Sequence, residues 1–263
     1  MNPGHDIKQT GVRLIKGLSV KQCLLLFLIL LFESNRSFAL LQPVFTFTAG
    51  ASLSQLGQSQ AFAPLDLCTY RYKPQGSNST NSLWGGFVGS EVKHSSSWKL
   101  MAGLGYYQPS VLATTGALTQ GADPMSDNTY RYRYQTQSRQ LLAEGKLYWI
   151  EKEKTQPFLM VGLGAAFNQM YNYQTSVPPF LEFTPVFTRH AQTHFTYAIG
   201  PGIDISVSQS FRIGMAYRFT DLGSVKTGRA QIDGIPISSA LKQSHVYANQ
   251  ILFQFTFIPW TRN

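Results

Sequence analysis

The chain has 263 residues, enough for one or two domains, and only 13% of them are charged, against roughly 25% in ordinary soluble domains. Gly (22), Tyr (13) and Phe (18) are plentiful and the formal net charge is +9. Cys23 and Cys68 are the only cysteines, and one of them falls in a leader, so no internal disulfide framework exists.

Lys8, Arg13, Lys16 and Lys21 precede the apolar run Cys23 to Phe32, and Ser37-Phe38-Ala39 follows as a small-x-small cleavage pattern. A basic region, a short apolar region and such a site define a secretory signal. The run is too short for the ~20 apolar residues of a spanning helix. The expected signal peptide is 1–39 and the expected mature domain 40–263. The first 39 residues hold five bases (Lys8, Arg13, Lys16, Lys21, Arg36) and two acids (Asp6, Glu33), which leaves 17 against 11, a net charge of +6. No later run is long and apolar enough for a membrane helix, so any contact with a bilayer must be made by strands.

Phe45 to Leu53 alternates apolar residues with Thr46, Thr48, Gly50 and Ser52. Side chains that alternate with period two belong to a strand. A polar link runs from about Ser54 to Asn81, then Leu83 to Val92 sets Trp84, Val88 and Val92 against Phe87 and Glu91. After a tight turn, Trp98 to Tyr107 sets Trp98, Leu100, Leu104 and Tyr106 against Lys99, Met101 and two glycines. Centring that turn on Ser95 places Glu91 opposite Lys99. A second polar link, Pro109 to about Asn128, leads into the long strand Tyr130 to Ile150. A charged turn then precedes Phe158 to Tyr173, and a Pro-containing link spans about Gln174 to His190.

Phe195 to Phe219 sorts most cleanly, with Tyr197, Ile199, Ile203, Ile205, Ile213, Met215 and Tyr217 on one face. The other face is small and polar and carries Asp204, Arg212 and Arg218. A hairpin centred on Ser208 sets Asp204 directly opposite Arg212. A last long link precedes Tyr247 to Ile258, where Ile251, Phe253, Phe255 and Phe257 oppose Gln250, Leu252, Gln254 and Thr256.

These eight strands are joined by links that alternate long and short. That is the rhythm of an up-and-down transmembrane barrel, with short periplasmic turns, long extracellular loops and an even strand count. In such a barrel apolar residues face lipid and polar ones fill the lumen, the reverse of a soluble sandwich. A count of ten is the alternative if Thr69–Lys73 or Ala230–Ser238 forms a further hairpin arm reaching the bilayer. Trp98, Trp149 and Trp260 fall on the expected periplasmic rim and Trp84 on the opposite one, as an interfacial aromatic belt requires.

This pattern resembles the small eight-stranded outer-membrane β-barrel family, the OmpA-like, OmpX-like and opacity-type proteins, over about residues 44 to 258. The closing segment Ile251-Leu252-Phe253-Gln254-Phe255-Thr256-Phe257 looks like the family's C-terminal assembly signal, although the chain runs on through Ile258 to Asn263. The resemblance implies an all-β, antiparallel barrel in the outer membrane of a Gram-negative bacterium. It implies a structural or surface-interaction role, with four polar loops displayed to a host surface, partner cell or ligand, and no cofactor.

Inward charges are expected at Glu91, Lys99, Glu144, Lys146, Asp204, Arg212 and Arg218. A barrel of this size is only wide enough for side chains to fill, so these form a paired plug; a proton or ion path is the alternative. His190, His194 and His245 lie in or beside the long links with Asp221 and Ser224, the residue types of lipid A-modifying barrel enzymes, which makes such an enzyme the second reading of function. His190 and His194 are about 13 Å apart along a strand, too far for one metal. Tyr130 to Tyr134 alternates aromatic and base, but an export signal argues against nucleic acid. Extrapolated register puts Arg131, Arg133 and Arg139 on the outer face above the hydrocarbon, where they could meet lipopolysaccharide phosphates or simply extend a solvated arm. A monomer is expected.

Overall fold

The computed structural model describes residues 42–64, 68–76, 78–95, 97–121, 127–149, 154–178 and 184–259. The expected leader, residues 150–153 at the charged turn, and Trp260 lie outside them. Eight strands form the ring: β1 (Pro43–Gln55), β2 (Asn78–His94), β3 (Trp98–Pro109), β4 (Asn128–Trp149), β5 (Thr155–Thr175), β6 (His190–Ser206), β7 (Phe211–Asp221) and β8 (Tyr247–Phe257). Each pairs antiparallel with its sequence neighbour, and β8 closes on β1 from Phe257 opposite Phe45 to Ala248 opposite Ser54. Closure leaves the ring no free strand edge to be satisfied in hydrocarbon.

The faces are inverted relative to a soluble protein. Outward residues such as Phe195 (66% exposed), Phe255 (60%) and Phe253 (51%) stand bare, while Arg218 and Gln250 are fully enclosed. On β4 the outward apolar run spans Leu141 to Trp149, about 27 Å along the strand at the usual rise. Tilted by the ~40° typical of such barrels, that covers roughly 20 Å of the ~25 Å apolar band.

Two pairings differ from the sequence expectation. Asp204 lies opposite Gly214 and Ser206 opposite Arg212, so the hairpin is centred on residue 209. The Ser208 hydroxyl accepts the backbone N–H groups of Ser210 (3.3 Å) and Phe211 (3.1 Å), which lengthens the turn on that side. Moving the centre by one residue moves each partner by two, so every side chain keeps its face. In the other hairpin the turn sets Lys99 opposite His94, and beyond a bulge between Glu91 and Lys93 Glu91 pairs with Met101, so Glu91 and Lys99 are not direct partners.

The long links are not simply polar loops. Strands 60–62, 69–74 and 112–121 form an arm that continues the sheet from the distal half of β4, while the ring itself stays at eight. Segments 186–187, 230–232 and 235–236 form a small sheet, and 225–226 pairs with 242–243. All four links contribute to one buried cluster that includes Leu56, Tyr72, Leu118, Tyr132, Phe187, Leu222 and Ile232. Tyr72 is its centre, with ring centroids 5.1 Å from Tyr132, 5.5 Å from Phe62 and 5.8 Å from Phe187, and its hydroxyl 3.1 Å from that of Tyr173. Where β5 leaves the ring for this cap it carries one extra residue, Asn172, at φ 53. Asn tolerates that left-handed conformation, and here its amide donates to Gln135 Oε1 at 2.7 Å.

Candidate functional site

The polar residues of the ring form a column down the lumen. At the periplasmic end, Tyr148 donates to Asp204 Oδ2 (2.8 Å), and Lys99 donates to Gln156 Oε1 (2.6 Å) while lying 4.7 Å from the Tyr148 ring centroid. Half-buried Arg212 and Glu91 belong to this layer. Midway, Lys146 lies 3.7 Å from Glu144, donates to Gln254 Oε1 at 3.2 Å and sits over the Phe87 and Phe158 rings. Tyr107 donates to the other Glu144 oxygen at 2.7 Å. The Arg218 guanidinium lies 3.6 Å from the Tyr107 ring centroid, and its Nε donates to Gln250 Oε1 at 2.7 Å.

Two inward glycines give these carboxylates room. A Cβ at Gly214 would collide with Asp204 Oδ1, and one at Gly105 would fall within 2.8 Å of Glu144 Oε2. Apolar inward residues (Leu83, Phe87, Met101, Leu142, Phe158 and Met160) fill the space between the charged layers. Paired charge in a low-dielectric interior rigidifies only where hydrogen bonds accompany it, and here tyrosine hydroxyls and glutamines provide them.

At the extracellular mouth the column passes into the cap. Thr196 donates to the Asp221 carbonyl at 2.6 Å, Gly223 N–H to Asp221 Oδ1 at 2.8 Å, and His245 Nδ1 to Asp221 Oδ2 at 2.9 Å. Asn168, held by Ser138, donates to the carbonyls of Leu222 (2.7 Å) and Ser224 (3.0 Å). The Ser224 hydroxyl and His194 Nε2 share a hydrogen bond of 2.9 Å. Both residues are candidates from the sequence, and the fold brings them together from 30 residues apart on β6 and the last long link. Asp221, the nearby carboxylate, is bonded to His245. Among the described residues no group of three or more potential ligands is placed to hold a metal.

In the cap, burial raises the phenol pKa of Tyr70, to about 12, with Cys68 beside it adding to the effect. Burial pushes Tyr72, Tyr132, Tyr134 and Tyr173 the same way. Each tyrosine therefore favours docking in its neutral form.

Arg131, Arg133 and Arg139 are exposed on the outer face of β4, alternating with buried Tyr132, Tyr134 and Ser138. Trp98 and Trp149 face each other across β3 and β4 at the periplasmic rim. Trp84 stands outward near the other rim beside Tyr106, at a ring centroid distance of 5.8 Å.

No protein-family model matches the chain, and no curated protein is similar to it in sequence. Solved structures of similar fold include the Escherichia coli outer membrane protease OmpT, with TM-score 0.48, 5% identity and coverage of 83% of this chain and 96% of that one. The Pseudomonas aeruginosa outer membrane protein OprG gives TM-score 0.44, 12% identity and coverage of 82% and 96%. Neisserial surface protein A gives TM-score 0.36, 9% identity and coverage of 81% and 96%. The closed ring, bare apolar belt and enclosed polar column make this chain a transmembrane β-barrel of the outer-membrane kind.

Proposed function

We propose that this outer-membrane barrel is a non-enzymatic surface protein of a Gram-negative envelope, with a structural or contact-making role carried by its cap. The supporting observation is that the four long links share one aromatic core at the same end of a filled barrel. A rigid cap costs a partner less ordering entropy than four independent loops would. The lumen column supports the plug in preference to a conduction path, because Glu144, Lys146, Asp204 and Arg218 each hydrogen-bond to a fixed amide or phenol inside it. Cell fractionation with protease added to intact cells tests this reading. The chain should sediment with the outer membrane and be cut only in the long links, at sites exposed on the cap. Cuts in the short turns, or recovery in the soluble fraction, would overturn it.

The Ser224–His194 hydrogen bond favours one other reading, a lipid A-modifying or other acyl-transferring enzyme. Against it, the carboxylate that would orient the imidazole is bonded to His245 instead. Lipid A from cells with and without the protein should have the same mass; a shift by one acyl group would establish the enzymatic reading.

A further inference from the structure

We propose that the outer wall above the belt, across β4, β5, β6 and the arm, is a binding surface for the phosphorylated glycolipids of the outer leaflet. This rests on the outer-membrane reading above and names a partner within it.

The wall has two tiers. The lower begins where the belt ends. Arg139 pairs across the sheet with Phe167, and Phe167 with Thr193, so this guanidinium is level with the last lipid-facing ring of β5. One row higher, Gln137 pairs with Gln169 and Gln169 with Ala191, and Arg189 donates to Gln169 Oε1 at 3.0 Å. Gln137, Arg139, Phe167, Gln169 and Thr193 line a groove of ≈ 210 Å³. The upper tier lies on the arm, about 20 Å further along β4 at the usual rise. There Lys73, Ala117 and Arg131 form one row, and Thr115, Arg133 and Gln174 another. Lys73, Gly116, Arg131 and Ser176 line a groove of ≈ 530 Å³.

The cap's architecture demands only half of this pattern. Tyr132 and Tyr134 must point inward to build the aromatic core, but any polar residue would serve at the outward positions between them. Those positions are basic, and the nearby carboxylate, Asp127, is already bound to Arg71 at 2.6 Å. Lys73, Arg131, Arg133 and Arg139 have no ion-pair partner among the described residues. Four cations at fixed spacing, with no acid between them among the described residues, match an array of phosphates, and the planar guanidinium takes a phosphate through two parallel hydrogen bonds. The direction of the surface selects the partner. It faces sideways, continuous with the lipid-facing wall, so its neighbour is whatever stands beside the barrel in the outer leaflet. Lys226, Asp233 and Lys242 are exposed on the last long link, outside this wall.

The test uses the full chain folded in detergent micelles, with heat-modifiable gel mobility as the check that the barrel has formed. Loss of that mobility in the unmodified chain would defeat the barrel reading itself, separately from this one. The probes are bis-phosphorylated lipid A, the same lipid without phosphates, and heparin. Arg131→Gln, Arg133→Gln and Arg139→Gln combined should weaken binding of bis-phosphorylated lipid A by at least about tenfold. An equal charge loss on the cap, Lys226→Gln, Arg229→Gln and Lys242→Gln, should change it by less than about twofold. Phosphate-free lipid A should not distinguish the variants. Equal loss in both triple variants, or equal loss with phosphate-free lipid, would overturn the proposal. So would loss of heparin binding with lipid A binding intact, which would reassign the wall to a sulfated polysaccharide.

Discussion

Replacing Arg218 with Met tests whether the lumen column holds the barrel together. Arg218 is fully enclosed, stacked 3.6 Å from the Tyr107 ring centroid and bonded through Nε to Gln250 at 2.7 Å. A desolvated cation–π contact contributes about 2 kcal/mol and a charged hydrogen bond about 1.5–3 kcal/mol. Met recovers some packing and removes the cost of burying a guanidinium, but it takes the cation away from the ring of Tyr107, whose hydroxyl is bonded to Glu144. Breaking a buried charge network from one side costs about 3–5 kcal/mol, and about 3 kcal/mol is expected here. Urea unfolding in phospholipid vesicles, followed by heat-modifiable mobility, measures it. Glu144→Gln combined with Arg218→Met should be less destabilised than the sum of the single changes by at least about 1 kcal/mol. A single variant within about 0.5 kcal/mol of the parent, or strict additivity, would refute the idea that these charges depend on one another.

Tyr72→Ala removes the centre of the cap's core and should cost about 3–5 kcal/mol locally, opening the long links to protease while the ring keeps its heat-modifiable mobility. Loss of both together would mean that cap and ring fold as one unit. Alkali should open the cap as well. Tyr70 is raised from 10.0 to about 12, so its contribution is complete below pH 10 and disappears as pH rises through 12. A late phase of tyrosinate absorbance should appear together with protease sensitivity; absence of that phase, or its appearance without cleavage, would contradict the buried-phenol account. On the outer face, Phe253→Arg should cost about 2–4 kcal/mol in vesicles, while Val207→Arg at the periplasmic rim should cost about 0–1 kcal/mol. Equal costs would remove the distinction between belt and rim.

The ring was legible in the sequence because period two survives errors of register. Centring the last hairpin on Ser208 in place of residue 209 misassigned the partner of Asp204, yet left Asp204, Arg212 and Arg218 on one face. The bulge at Glu91 was not legible, since an unpaired residue leaves no mark in an alternation already loosened by glycine. The cap was hidden for a different reason. Leu112 to Gly121 places Leu112, Thr114, Gly116 and Leu118 inward, a face too small and polar to read as a strand without its partner at Tyr132 and Tyr134. Those tyrosines, alternating with arginines, read as a strand extension; only the fold shows that Tyr72 and Phe187 meet Tyr132 and Tyr173 there. The Ser224–His194 contact likewise depends on where the last link crosses the mouth, which residue types alone do not specify.

The inversion of faces can be measured most directly by nitroxide accessibility along β8. With Cys68 replaced by Ser, single cysteines at 249 to 256 are spin-labelled in the vesicle-embedded barrel and exposed to oxygen, which partitions into acyl chains. Oxygen access should peak at 251, 253 and 255 and drop at 250, 252 and 254, a period of two in phase with the bare phenylalanines. A flat profile, or maxima at the even positions, would contradict a barrel that turns its apolar face to lipid.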